Sequence, residues 1–238
     1  MPNSVGENQA KRKLAAGELV LCMGVNQMRT PNIAMIAAAC GFDAIYIDLE
    51  HNPTSLETAG AICVTALGIG VTPIARVSSR DAHHATRILD CGAQGVMVPH
   101  VSTVAEAGAV VESCRYPPHG HRSASGSGPA LGYSVRSQGE INSYLNEQTL
   151  LIAMLETPEA IENADAIAAI DGIDMLHIGS SDLSPRWASP ANTSMLAYAK
   201  PMRRPPGQPG RTANRWVSAG CAKTSNFRPG CCSSGCVI

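Results

Sequence analysis

Short apolar runs alternate with segments of helical spacing along the first 184 residues, and this alternation limits the possible folds more than any other feature. The runs lie at residues 19–25, 44–49, 71–77, 94–98, 150–155 and 173–178. They are almost continuously apolar, which is typical of parallel strands covered on both faces. The intervening helical segments lie at residues 30–40, 55–67, 81–91, 103–114 and 158–167. The pattern predicts an α/β fold built from strand–helix units.

The number of these units indicates a barrel that is not complete. Six strands and five helices can be counted by residue 178, whereas a (β/α)8 barrel of the TIM type needs eight of each and about 250 residues. The chain has 238 residues. We therefore expect a truncated (β/α) barrel domain of about six strands over residues 1–184, followed by an irregular C-terminal tail.

The tail, residues 185–238, differs in composition from the barrel segment. It holds eight of the 18 basic residues and no Asp or Glu, so the two parts carry formal charges of +8 and −9. Four prolines between residues 201 and 209 interrupt any helix there. Such a segment buries too little apolar surface to offset the cost of ordering its backbone. We predict that this basic, Pro- and Cys-containing tail is disordered and adds no regular seventh and eighth strands.

Composition excludes several classes of partner. The chain is 45% hydrophobic and 16% charged with a net charge of −1, which gives no sign of a nucleic-acid or membrane partner. Its polar start does not resemble a secretory signal, and no run approaches the ~20 apolar residues of a membrane span. Five of the nine cysteines lie apart inside apolar segments, as free thiols do in reducing compartments: Cys22, Cys40, Cys63, Cys91 and Cys114. We expect a cytoplasmic protein.

Polar side chains follow several of the predicted strands at their carboxyl ends, where the active sites of (β/α) barrels lie. The candidates are Asp48, Glu50, His51, Arg76, His100, Glu156 and Asp182. Each has an ordinary alternative: a histidine after a strand is commonly a surface residue, and a glutamate before Thr-Pro is commonly a charge at a helix N-terminus. Carboxylates, a histidine and an arginine at equivalent strand ends together indicate a site.

These residue types suit one chemistry. Glu156 and Asp182 offer hard oxygen ligands, which favour Mg²⁺ or Mn²⁺ over structural zinc. Such an ion can hold a 2-keto acid through its keto oxygen and carboxylate and stabilise an enolate. Arg76 offers a fixed positive charge for the enolate or carboxylate oxygens, and His51 can transfer a proton near neutral pH.

A segment rich in Gly, Ser and Pro, residues 115–148, interrupts the alternation. It is too long for a plain connection between a strand and a helix. Connections of this length are usually lids or binding loops, although a flexible insertion is the alternative.

Six blocks of the sequence, in this order, resemble the successive signatures of the HpcH/HpaI aldolases, also called class II pyruvate aldolases. The blocks are FDAIYIDLEHNPTS, PIARV, RILDCGAQGVMVPHV, RYPPHGHRS, LETPEAIEN and HIGSSDLS. The resemblance covers about residues 12–184 and is specific as a set.

The resemblance implies roles for individual residues. His51 matches the proton acceptor, Arg76 the arginine that stabilises the transition state, and Asp90 the acid that raises the basicity of the histidine. Glu156 and Asp182 match the ligands of a divalent metal: Mg²⁺, Mn²⁺ or also Co²⁺. Ser181 stands where a backbone amide meets the substrate. Met154 is a departure, since members often carry a substrate-binding glutamine there.

The resemblance also implies a function, a metal-dependent lyase that reversibly cleaves a 4-hydroxy-2-oxo acid to pyruvate and an aldehyde. A 2-keto acid is then the small-molecule partner, and a homohexamer is the assembly typical of the family. Two alternatives stay open. One is a relative that decarboxylates oxaloacetate and uses the enolate to form another carbon–carbon bond, and the other is an inactive truncated product.

The tail suggests a shifted reading frame. The family continues after HIGSSDLS through a segment such as TEMGIPGQ, whereas this chain reads PRWASPANTS. With suitable codons, residues 185–192 read at an offset give EMGIPGQ. The same offset turns residues 216–226 into GVGGLREDEQ, which resembles the family's seventh strand. A genuinely divergent tail is the alternative, and the DNA across codons 183–188 distinguishes the two.

Overall fold

The computed structural model describes residues 6–179 and 182–183, together with the backbone of two short strands further along the chain. Its strands are β1 (Leu21–Val25), β2 (Ala44–Asp48), β3 (Thr72–Arg76), β4 (Gly95–Val98), β5 (Leu150–Leu155), β6 (Met175–Ile178), β7 (Trp216–Ala219) and β8 (Gly235–Val237). Its α-helices are α1 (Gln9–Ala15), α2 (Asn32–Ala39), α3 (Leu56–Gly68), α4 (Ala82–Asp90), α5 (Val104–Cys114), α6 (Gln138–Gln148), α7 (Pro158–Glu162) and α8 (Ala164–Ala168). A 3-10 turn spans Pro129–Leu131.

Strands β1 to β6 form the parallel, helix-covered sheet that the alternation predicts. The order across the sheet is β7-β6-β5-β4-β3-β2-β1-β8, so consecutive strands are neighbours throughout the first six. In the register, Asp48 lies opposite Arg76 and Met154 lies opposite His177. The result is a curled part of a (β/α) barrel, and the expected fold class is confirmed.

The two faces of the sheet pack into separate apolar clusters. Ile45 and Ile47 point outward and pack with the helices, whereas Ala44 and Tyr46 belong to the cluster inside the barrel. This alternation follows from the two-residue period of a strand. The polar residue that ends β2, Asp48, therefore continues the inward-facing series.

Helix α1 covers the amino-terminal ends of the strands. Asn8 caps the helix and donates from Nδ2 to the carbonyls of Gln94 and Gln148, and the amide of Ala10 donates to Thr72 Oγ1. Ala10 also packs into the interior cluster. Among the described residues, this helix covers the amino-terminal end of the sheet, and the carboxyl ends of the strands lie at the opposite end.

Two helices within the barrel segment were missed by the sequence prediction. One is α1, and the other is α6, which shortens the irregular part of the predicted loop to residues 115–137. A signal for α6 was present, since Ser137 and Glu140 form a reciprocal capping box. The helix predicted at 158–167 is split into α7 and α8 at Asn163.

The expectation that the tail contributes no strands is wrong at two places. β7 pairs parallel with β6, and β8 pairs antiparallel with β1, so each satisfies the open edge of the six-stranded sheet. Backbone pairing at a sheet edge depends little on side-chain pattern, which explains why composition did not reveal it. β7 and β8 end the sheet without pairing to each other. The predicted disorder of the remaining tail falls outside the described residues.

None of the helices in the described part of the chain has the length and apolar character needed to cross a membrane.

Candidate active site

Arg76, the last residue of β3, is fixed by the carboxylate at the end of the neighbouring strand. Its Nε and Nη2 donate to Oδ1 and Oδ2 of Asp48, each at 2.9 Å. Nη1 lies 3.1 Å from Oε2 of Glu50. All three side chains are largely buried. Bidentate pairing holds the guanidinium plane in one orientation, so the site contains a fixed positive charge.

The pKa values of this pair follow from the contact. Burial alone would raise the pKa of Asp48, but hydrogen bonds from Arg76 and from the amides of Glu50 and His51 lower it. Burial would lower the pKa of Arg76, and the contacts with Asp48 and other neighbours reverse this and raise it. Both groups are therefore ionised across the physiological range.

His100 joins Glu50 to Glu156, the residue that follows β5. Its Nε2 lies 2.9 Å from Glu50 Oε1, and its Nδ1 lies 2.9 Å from Glu156 Oε2. The backbone amide of His100 donates to the same Glu156 oxygen at 2.9 Å. The sequence analysis placed Glu50 and His100 at strand ends but gave neither a role. Only their contacts show that they connect the arginine to the buried glutamate.

Glu156 is almost completely buried, with 1% of its surface exposed. Burial raises its pKa, and the charges of Glu50 and Asp182 act in the same direction, whereas the hydrogen bond and charge of His100 oppose them. The charge of Asp182 therefore acts on Glu156, although the two residues follow different strands.

Gly179 makes room for Glu156. A Cβ on Gly179 would lie 2.6 Å from Glu156 Cγ and 2.8 Å from its Oε1. Only glycine at this position leaves room for the Glu156 side chain to pack against the backbone. Among residues 6–179 and 182–183, no group of three or more His, Cys, Asp or Glu is arranged to hold a metal ion. The chemistry of the site fits a divalent ion held by two hard oxygen ligands, with its other positions left for small molecules.

His51 lies at the same end of the barrel, in the turn after β2. Its side chain is 62% exposed, and its Nε2 lies 3.8 Å from Glu50 Oε2. The amide of His51 donates to Asp48 Oδ1 at 3.4 Å, and Asn52 donates to Asp48 Oδ2 at 2.7 Å. Asp48 thus fixes both Arg76 and the backbone that carries His51.

The structure does not bring Asp90 to His51 within one chain. Asp90 ends α4 and so lies near the amino-terminal ends of the strands, opposite the site. There it accepts from Arg122 Nη2 at 2.6 Å and from Ser125 Oγ at 3.3 Å. Asp90 lies there because a helix after a parallel strand returns the chain to the other end of the sheet.

A layer of larger side chains lies directly below Arg76 inside the barrel. Arg76 Nη1 is 3.9 Å from Met154 Sδ, and the guanidinium carbon lies 5.9 Å from the centre of the Tyr46 ring. His177 is the register partner of Met154, and burial together with the charge of Arg76 lowers its pKa to about 4. Met154 therefore contacts the arginine through its sulfur, in place of the amide of the expected glutamine. Ser181 lies outside the described residues.

The fold and the site together define a (β/α) barrel enzyme whose reactive centre, rich in carboxylates, lies at the carboxyl ends of the strands. The family model described as HpcH/HpaI aldolase/citrate lyase matches residues 26–197. The chain belongs to this family, as the resemblance of its sequence blocks predicted, and it is a carbon–carbon lyase of the aldolase type.

Individual relatives agree with this assignment. The chain is 39% identical over 216 residues to 4-hydroxy-4-methyl-2-oxoglutarate aldolase cghB of Chaetomium globosum, a match that covers 90% of this chain and 76% of that protein. The crystal structure of an HpcH/HpaI aldolase from Desulfitobacterium hafniense DCB-2 is similar, with a TM-score of 0.71, 30% identity and coverage of 74% and 68% of the two chains. The citrate synthase SbnG structure has a TM-score of 0.68, 31% identity and coverage of 79% and 72%.

These matches place the end of the similarity later than the sequence analysis did. The family model continues to residue 197, beyond the expected boundary at 184. The match to the Chaetomium protein covers 90% of the chain, whereas 184 of 238 residues is only about 77%. Similarity therefore continues into the tail, although the frame hypothesis itself remains a prediction.

Proposed function

We propose that the chain catalyses the reversible aldol cleavage of a 4-hydroxy-2-oxo acid to pyruvate and an aldehyde. The observation that carries the proposal is the fixed Arg76 cation, connected through Glu50 and His100 to the buried Glu156, at the carboxyl ends of the strands in a barrel of this family. The Chaetomium relative, by its name, acts on a methylated 4-hydroxy-2-oxoglutarate, whose cleavage by the same step gives a second 2-keto acid in place of the aldehyde.

In the cleavage direction, a base removes the proton of the C4 hydroxyl and the C3–C4 bond breaks. The bonding electrons move into the pyruvate enolate, the aldehyde leaves, and C3 of the enolate then takes up a proton. We assign the base to His51, whose exposed imidazole can reach a small molecule at the mouth of the barrel. Arg76 holds the carboxylate or enolate oxygens in a fixed orientation.

We assign Glu156 and Asp182 as the residues that hold a divalent ion, Mg²⁺ or Mn²⁺, with Co²⁺ as a further candidate. When bound, such an ion withdraws electrons from the keto oxygen and stabilises the enolate. The backbone amide of Ser181 and the side chain of Met154 are proposed to contact the substrate. A cytoplasmic location and a homohexameric assembly are the further expectations that follow from the family.

A second candidate reaction shares the same enolate. SbnG, which is named a citrate synthase, is 31% identical, and a site that stabilises a pyruvate enolate can also serve a decarboxylation of oxaloacetate followed by carbon–carbon bond formation. The two reactions differ in their products, because only cleavage releases an aldehyde with each pyruvate.

The test is pyruvate release from a panel of 4-hydroxy-2-oxo acids, with Mg²⁺ or Mn²⁺ and with a chelator. We expect release that needs the metal, with equal amounts of aldehyde. Glu156→Ala and Asp182→Ala should each reduce the rate at least about 100-fold without unfolding the chain. Consumption of oxaloacetate without aldehyde favours the second reaction. Absence of turnover on every substrate indicates the inactive product considered from the sequence.

A further inference from the structure

His100 combines an uncommon backbone conformation with contacts to two carboxylates. Its φ of 57° lies in the left-handed region, which residues other than glycine rarely adopt. The residue follows β4, whereas the carboxylates it contacts follow β2 and β5. A strained conformation that is maintained between three strand ends commonly marks a functional position.

The contacts of His100 distinguish the two oxygens of Glu156. Oε2 accepts a hydrogen bond from the amide of His100 at 2.9 Å, and Nδ1 of the ring also lies 2.9 Å from it. Oε1 is the other oxygen, and it packs against Gly179, where a Cβ would lie 2.8 Å from it. Because His100 holds Oε2, Oε1 is the oxygen that these contacts leave for an ion.

His100 also determines where Glu50 lies. Glu50 Oε1 is 2.9 Å from the ring, and its other oxygen is 3.1 Å from Arg76. Without the imidazole, Glu50 and Glu156 would be two buried carboxylates with no group between them, and each would repel the charge of the other. The ring of His100 therefore lies between Glu50, which pairs with Arg76, and Glu156, the proposed metal ligand.

We propose that His100 is a positioning residue that presents Glu156 to a divalent ion through one oxygen, Oε1, and keeps Glu50 against Arg76. The inference rests on the proposed metal site. It predicts that the ring of His100 strengthens binding of the ion without contacting it. Partners that orient a ligand in this way typically contribute 10–100-fold to metal affinity.

The experiment measures Mn²⁺ binding to the full chain by calorimetry in the absence of substrate. His100→Gly keeps the amide and relieves the backbone conformation but removes the ring, and it should weaken Mn²⁺ binding about 10–100-fold. His100→Gln retains a side-chain donor and should recover part of this loss. If His100→Gly does not fold, as judged by circular dichroism, the comparison of His100→Gln with the unmodified chain gives the answer.

Tyr133 provides a matched control. It is the other non-glycine residue with a φ of 57° in the described part of the chain, and it is 66% exposed, away from the carboxylates. Tyr133→Gly should leave Mn²⁺ binding unchanged. Equal Mn²⁺ affinity in the unmodified chain and His100→Gly would overturn the inference alone. Failure of the unmodified chain to bind Mn²⁺, or full binding by Glu156→Gln, would overturn the proposed metal site and the inference with it.

Discussion

Arg76 and His51 depend on one residue, Asp48, for their placement. Asp48 takes two hydrogen bonds from the guanidinium and one from the amide of His51. Asp48 therefore holds both Arg76, which is proposed to bind the carboxylate or enolate oxygens, and the backbone of His51, the proposed base. At the residue scale, Asp48 links the positions of the two residues that are proposed to act on the substrate.

Substitution of the proposed base should cost more than substitution of the acid that the family resemblance pairs with it. We expect His51→Ala to lower kcat by about 10²–10⁴-fold, because it removes a group that transfers the proton. Asp90→Asn should cost less, since Asp90 contacts Arg122 at the other end of the strands. Steady-state kinetics with pyruvate detection measure both. Equal and small losses would show that the proton moves by another path.

His177 should make folding sensitive to mild acid. Its pKa of about 4 in the folded chain lies below the value of about 6.5 of an unfolded histidine, so the unfolded state binds the proton first as the pH falls. The free energy of unfolding is then fully present above pH ~6.5 and falls by up to about 3 kcal/mol towards pH 4. Urea unfolding of His177→Gln should lack this part of the pH dependence.

The exposed His119 supplies the control for this measurement. His119→Gln should unfold with the same pH dependence as the unmodified chain, because this substitution removes no buried side chain. If the free energy of unfolding of His177→Gln varies with pH as it does in the unmodified chain, the pH dependence does not come from His177.

At the scale of elements, α1 has a role beyond its seven residues. Asn8 is 1% exposed and connects the helix to the residues that precede β4 and β5. Helix α3 offers a contrast, because its cap, Ser55, is exposed and bonds only within its own first turn. The cap of α3 therefore stabilises its own helix, whereas the cap of α1 also attaches that helix to the barrel.

Replacement of each of these two capping residues by alanine should lower the free energy of unfolding by a different amount. Ser55→Ala should cost about 0.5–2 kcal/mol, the usual effect of a lost cap. Asn8→Ala should cost about 2–4 kcal/mol, because it also leaves buried carbonyls without donors. Urea unfolding at neutral pH measures both. Similar losses for the two variants would show that α1 is only loosely attached to the barrel.

At the scale of the whole molecule, the two ends of the sheet distinguish this chain from a closed barrel. β7 continues the parallel order beside β6, whereas β8 is antiparallel to β1. β7 begins at residue 216, where the offset reading frame resembles the seventh strand of the family. A short backbone pairing satisfies a sheet edge, but it does not supply the helices that cover a complete barrel.

Restoring the offset frame should therefore produce a longer chain that is an active oligomer. We expect the restored chain to turn over substrate much faster than the present chain, because the family's last strand–helix units and their subunit contacts would return with the frame. Sequencing the DNA across codons 183–188 tests the frame, and size-exclusion chromatography with pyruvate release tests the consequence. Full activity and hexamer formation by the present chain would contradict this prediction.

The sequence by itself determined the fold class and the strand ends at which the candidate residues lie. Strand–helix alternation is a local property of the chain, and in a parallel sheet every strand ends at the same edge, so Asp48, Arg76 and Glu156 could be grouped from their positions alone. The tertiary structure decided which of them touch. Contacts such as His100 with Glu50 and Glu156 join residues 50 and 56 positions apart. It also decided that Asp90 lies at the opposite end of the strands. Distances between residues far apart in the chain depend on packing and register, and no local pattern in a single sequence encodes them.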